Sequence, residues 1–339
     1  MNQNEAYYRK VISAIGFSML IFLLLINLVS VGVVFLSVLL PQLSLSQVAQ
    51  DVIYQILYAA GYLLSFMLPV AFLHLFLRGT GKGYRPMYSA LRISPYLPLI
   101  LFSSIALILS AAYVNASLVD VFGYSRFMED LVSEDFGSMP PYLIVLQFIV
   151  MCVVPGFCEE FLFRGAILTN CLPFGRSNAI LISSLLFALM HQNAAQIFYA
   201  FAAGILLGVL YERTGSIWNC TILHIANNLF SLSQSVLAGR AEGEWQATGY
   251  AALMEIGILV LGIVSMAILI VRFFSQGRDA RDGIFEREIP AADEYATAPV
   301  AARRAWKLFA TTPSMLIFLI LCTMQIVMLL ITAVLYGML

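Results

Sequence analysis

Along the 339-residue chain, polar positions are confined to short intervals, and apolar positions run on for twenty residues or more between them. Stretches near 11–40, 52–77, 95–119, 141–171, 250–274 and 313–337 are each long enough to cross a hydrocarbon layer of about 30 Å, which takes about 20 residues of helix. Between 177 and 236 the apolar character is interrupted but persists, and the pattern predicts three shorter helices over 177–191, 195–211 and 216–236. The runs are continuous and lack the alternation of a lipid-facing barrel strand. A backbone in lipid must also satisfy its own hydrogen bonds, so the spans are helices. The first run follows Arg9 and Lys10, is too long for a signal-peptide core and lacks a small-residue cleavage site, so it reads as a retained span. The expectation is an all-α, polytopic transmembrane helix bundle of about nine spans, eight in a core and one extra at the C-terminus.

Composition supports the pattern: 61% of residues are hydrophobic and only 11% charged, outside the range of soluble domains. The net charge of -1 offers no basic surface for nucleic acid. Placement of the cations is more informative than their sum. With the N-terminus in the cytoplasm, 16 of the 18 Lys and Arg residues face inward and only Arg126 and Arg240 face outward. The outer loop after the third span carries Glu129, Asp130, Glu134 and Asp135. The positive-inside rule then sets a cytoplasmic N-terminus and an external C-terminus, in a membrane read as a bacterial cytoplasmic membrane.

Residues 1–274 form the predicted transmembrane domain, 275–312 a polar cytoplasmic linker, and 313–339 a C-terminal transmembrane helix expected at the periphery of the bundle. The cysteines at 152, 158, 171, 220 and 322 are odd in number and lie in or beside apolar segments, which predicts buried thiols and no disulfide framework. His74, Asn27, Asn115 and Gln147 read as interhelical polar contacts, and Trp218 and Trp306 as interfacial anchors.

Against this background the stretch CEEFLFRGAIL, residues 158–168, is anomalous. An ionised group at the centre of the bilayer costs about 2.5–3.5 kcal/mol on insertion scales. Glu160 and Arg164 are one helical turn apart and can pair. Glu159 points about 100° away around the helix and has no local counter-charge. His191, at the end of the next predicted helix, and His224, within the one that follows the turn near Ser216, fall at depths comparable with Glu159. Three helices can therefore bring an acid and two imidazoles toward one cavity. In HIANN, Asn228 lies one turn beyond His224, and the two offer neutral hydrogen-bond donors on one face, the equipment of an oxyanion site. Phe187, one turn before His191 in FALMH, reads as a packing residue.

The succession of EEFLFR, FALMH and HIANN, in order and within helices, resembles the three motifs of the CPBP family of intramembrane proteases. That family includes CAAX-processing endopeptidases and the bacteriocin-processing or self-immunity proteins of the Abi group. The resemblance covers the motif core, 141–236, and its usual core is eight helices. It implies that Glu159 with His191 activates water, that His224 and Asn228 stabilise the oxyanion, and that Glu160, Arg164 and Phe187 orient or support them.

The substrate implied is a membrane-associated peptide or protein, and a prenylated C-terminus, a bacteriocin leader and a regulator's transmembrane segment all remain open. So does the oligomeric state. No cofactor is expected; the alternative is zinc held by Glu159, His191 and His224, a ligand set catalytic zinc accepts. The His-x-x-x-Asn pair is better suited to donating hydrogen bonds than to binding metal. Two other classes use similar residues, a non-proteolytic membrane scaffold or immunity protein and an ion-coupled transporter. The complete motif set counts against the first, and the lack of a visible internal repeat against the second.

Overall fold

The computed structural model describes residues 3–78, 93–124, 127, 136–241, 243–275 and 300–337. Lys82, Arg85, Arg92, Arg126, the four acidic residues of the outer loop and residues 276–299 of the linker lie outside the described residues. The chain is an all-α polytopic bundle. Its helices are α1 (Gln3–Leu39), α2 (Gln47–Arg78), α3 (Leu97–Asp120), α4 (Pro141–Phe174), α5 (Arg176–Met190), α6 (Ala194–Thr214), α7 (Ile217–Gly239), α8 (Glu244–Ser275), α9 (Ala302–Thr311) and α10 (Pro313–Tyr336). Seven of them, α1, α2, α3, α4, α6, α8 and α10, are long and apolar enough to cross a membrane. The other two predicted spans are helices at the expected places, but α5 has only 15 residues and α7 carries the polar run around His224.

The chain divides into two compact units. The first holds residues 1–87, 139–178 and 297–319. In it α1 and α2 form an antiparallel hairpin, registered by Phe22 against Phe66, with ring centroids 4.9 Å apart, and by the Ser18 hydroxyl donating to the Pro69 carbonyl at 3.2 Å. Gly61 makes their close approach possible, because a Cβ there would meet Val29 at 2.9 Å. α4 packs on α2, and the Tyr142 hydroxyl donates to Asp51 at 2.8 Å.

The path of α4 is not a regular α-helix. Turns widened to the π form cover Phe148–Val153 and Phe161–Leu168, with α-helical Val154–Glu160 between them. The first precedes Pro155, whose ring would clash with the carbonyl four residues back in a regular helix, and a widened turn relieves that clash. The second closes where both the amide and the hydroxyl of Thr169 donate to the Arg164 carbonyl, the hydroxyl at 2.8 Å.

Residues 302–311, within the segment expected to be linker, form helix α9, which buries Ala305, Leu308 and Phe309 as it packs on α1. The spacing of these apolar residues is helical, and it was masked by the polar composition around them. The start of α10 is tied to α1: the Ser314 hydroxyl donates to the Ser13 carbonyl at 3.0 Å, and Gly16 leaves the space for that approach.

The second unit holds residues 88–138, 179–296 and 320–339. Asn115 of α3 is its central polar clamp. Its amide donates to the carbonyls of Ala194 and Ala195, at 3.3 and 2.7 Å, and its oxygen accepts from the Phe198 amide at 2.9 Å. Asn115 thus makes the interhelical bonds expected of it, and the Asn27 amide donates to the Leu23 carbonyl at 2.7 Å. Gly204 lets α6 approach Ser184 of α5, where a Cβ would come within 2.9 Å. Glu255 of α8 accepts from Tyr113 of α3 and from Gln234 of α7, the latter at 2.9 Å. Ile326 and Ala333 of α10 pack in one cluster with Val119, Tyr124 and Ala194. All five cysteines are buried thiols.

The α3–α8 crossing sets up a stability test. A Cβ at Gly262 would lie 2.3 Å from the Ala106 Cβ and 2.8 Å from the Phe102 carbonyl oxygen, whereas one at Gly257 would meet nothing within 4 Å. Gly262→Ala is expected to destabilise the detergent-solubilised protein by about 1–3 kcal/mol, the cost of overpacking. Gly257→Ala is expected to cause no loss and to raise stability by up to about 1 kcal/mol through helix propensity.

Candidate active site

Glu159 sits near the end of the α-helical segment between the two widened turns and is 3% exposed. Its Oε1 accepts a hydrogen bond of 2.5 Å from the hydroxyl of Tyr62 on α2. Tyr62 is fixed in turn by rings one turn away on either side, Tyr58 at 6.1 Å and Phe66 at 4.8 Å, and it follows Gly61, where α1 and α2 approach. Glu159 is therefore held from a neighbouring helix. Tyr62 was missed in the sequence because a tyrosine in an aromatic-rich span carries no signal of its own, and its partner lies 97 residues away.

Glu160 and Arg164 are completely buried, and Arg164 Nη1 lies 2.8 Å from Glu160 Oε1. The pair forms at the spacing the sequence suggested, although Arg164 lies within the second widened turn. A guanidinium and a carboxylate taken out of water together are tolerable; either alone is not.

The remaining motif residues lie in the second unit. His191 is the first residue beyond α5. The turn that carries it is constrained: Gln192 adopts φ 52°, and Asn193 caps α6 by accepting from the Ala195 amide at 2.9 Å. The Asn193 side chain also accepts from the Tyr124 hydroxyl at 2.9 Å. A non-glycine residue in the left-handed region persists only where its surroundings hold it.

Phe187 stands edge-on to both imidazoles, its centroid 5.4 Å from that of His191 and 5.9 Å from that of His224. The ring thus touches both histidines, a more specific place than simple packing against His191. His224 is buried on α7, Asn228 follows one turn later, and the Asn227 amide lies 3.5 Å from the Asn228 oxygen. Among the described residues no three His, Cys, Asp or Glu side chains are grouped so as to hold a metal ion.

Within the first unit the structure thus joins Glu159 to Tyr62 and Glu160 to Arg164, and within the second it gathers Phe187, His191 and His224. Residues 141–230, which contain all three motifs, match the family model described as type II CAAX prenyl endopeptidase Rce1-like. This segment is thus similar to the Rce1-like endopeptidases, and it is set in a chain with seven helices, among the described residues, that are long and apolar enough to cross a membrane. No curated protein and no solved structure matches the chain.

The buried pair gives a test of its structural weight. Arg164→Met leaves the Glu160 charge buried without its guanidinium and is expected to destabilise the protein by about 3–5 kcal/mol. Adding Glu160→Met should recover most of that loss. Thermal unfolding of the three proteins in one detergent reads both effects.

Proposed function

We propose that the chain is an intramembrane endopeptidase that hydrolyses peptide bonds of membrane-associated peptides or proteins. The observation that carries the reading is the complete and ordered set of EEFLFR, FALMH and HIANN within the segment that matches the Rce1-like model. Glu159 and His191 polarise a water molecule. Glu159 accepts one of its protons as the hydroxide oxygen adds to the scissile carbonyl carbon. The oxyanion so formed accepts hydrogen bonds from His224 and Asn228, both neutral donors, in a water-poor site where such bonds have most effect. The proton passes to the leaving nitrogen, the C–N bond breaks, and the products are a carboxylate and an amine. Glu160 and Arg164 hold α4 in shape, and Phe187 supports the two imidazoles.

Two observations favour assigning general-base work to Glu159 over Glu160. Glu160 is committed to an ion pair at 2.8 Å, and Glu159 accepts from the Tyr62 hydroxyl at 2.5 Å, a bond that fixes the direction of its carboxylate. The donor character of His224 and Asn228 favours a mechanism in which water is activated without zinc. In the proposed setting the membrane is a bacterial cytoplasmic membrane, the N-terminus is cytoplasmic and the C-terminus external. Residues 1–274 carry the protease, and 275–312 connect it to the last transmembrane helix.

Glu159→Gln keeps volume and hydrogen bonding but removes the base. It is expected to lower cleavage by about 10²- to 10⁴-fold while the protein remains folded. N-terminomics on membranes bearing the wild-type or the Glu159→Gln protein identifies both activity and substrate, and an unchanged set of new N-termini overturns the assignment. Tyr62→Phe removes one hydrogen bond to a charged group, about 1.5–3 kcal/mol, and is expected to lower kcat by about 10- to 100-fold with KM nearly unchanged. In a Glu159→Gln background the same substitution should have no further effect on residual cleavage.

A further inference from the structure

At 37 residues α1 is about 55 Å long, well beyond the roughly 30 Å of a hydrocarbon core. The excess lies at its N-terminal end. The first large apolar side chain that α1 exposes is Phe17, and from there exposed apolar residues continue to Val38, a band of about 33 Å at the helical rise. Two neighbours in the same unit place the edge of the band at the same level: Phe76 is the last exposed large apolar residue of α2, and Leu316 the first of α10. The antiparallel pairing of Phe17 with Phe72 and the bond between Ser314 and Ser13 put these three positions side by side.

Just beyond this edge the polar surface has one sign. Arg9 and Lys10 of α1, Arg78 of α2, and Arg303 and Lys307 of α9 are exposed, and Arg304 lies half-buried, 3.2 Å from Glu5. Glu5 is the one carboxylate among the described residues of this end. Arg303 and Lys307 are one turn apart, on the side of α9 opposite the buried Ala305, Leu308 and Phe309. Measured along the helices to Phe17, Phe76 and Leu316, Arg9, Lys10, Arg78 and Lys307 fall within roughly 15 Å of the band's edge and Arg303 and Arg304 within roughly 20 Å, and their side chains reach several ångströms back toward it. That is the level of lipid phosphates, since the headgroup layer adds about 5–8 Å on each side of the core.

We propose that this basic rim, made by the first turns of α1, the last turn of α2 and the outer side of α9, is a binding surface for the headgroups of anionic phospholipids. Six cations drawn together by two helix contacts repel one another, and a layer of phosphates at their level both neutralises the rim and holds α9 against α1. A soluble acidic partner would match the charge but not the depth. The alignment with the edge of the apolar band singles out lipid.

Native mass spectrometry of the full-length, delipidated protein titrated with equal amounts of phosphatidylglycerol and phosphatidylcholine tests the inference. Wild type is expected to retain phosphatidylglycerol in preference. In the double variant Arg303→Gln/Lys307→Gln, whose changes are confined to exposed side chains, that preference should fall by roughly an order of magnitude, given about fivefold per cation near an anionic surface. Equal retention of the two lipids by wild type, or a preference unchanged in the double variant, overturns the proposal. So does a lipid preference that soluble polyglutamate abolishes at equal charge, which would assign the rim to an acidic protein segment. None of these outcomes depends on cleavage.

Discussion

The structure is organised around the cost of keeping Glu159, Glu160 and Arg164 on one span of an apolar chain. Two of the three neutralise each other within that span, at 2.8 Å and with no exposure to lipid or solvent. The third requires a second helix at a particular depth. α2 supplies it through the Tyr62 hydroxyl, and α2 is set at that depth by the close approach at Gly61 and by the Phe22–Phe66 contact with α1. A change in the α1–α2 hairpin, far along the chain from any motif, therefore reaches Glu159 through the tyrosine. The widened turns of α4 belong to the same arrangement, because they flank the segment that presents the two adjacent carboxylates.

The second unit meets a different constraint. One phenyl ring stands edge-on to both its imidazoles, and His191 sits at a helix end whose turn is locked by Asn193, Tyr124 and a left-handed Gln192. The histidine is thus carried by a rigid corner. α3 and α6 support that corner through the three hydrogen bonds of Asn115. Placement of this kind suits a group that must keep its orientation when a proton moves.

Much of this was legible in the chain. Apolar run length placed nearly every helix, and the spacing of Glu160 and Arg164 implied their ion pair, because both follow from local geometry and from the absence of water in lipid. The motifs were legible as well, since charged and imidazole residues stand out where most positions are apolar. What the sequence hid was tertiary. Tyr62, and the Tyr113–Glu255–Gln234 contact, join residues with long sequence separations and no periodic signal. Helix α9 was hidden by composition: its few apolar residues are correctly spaced, but arginines and a lysine surround them in a segment read as linker. The widened turns depend on how Pro155 and Thr169 share carbonyls, which no count of polar and apolar positions registers.

The central claim, that of the proposed function, is that Glu159 and His191 act on the same water molecule. A double-mutant cycle on cleavage by the full-length protein tests it most directly, with wild type, Glu159→Gln, His191→Ala and the double variant assayed on one substrate in one detergent. Groups that serve one water are lost together, so the double variant is expected to cleave no more slowly than the slower single variant. Losses that multiply in the double variant would contradict the claim.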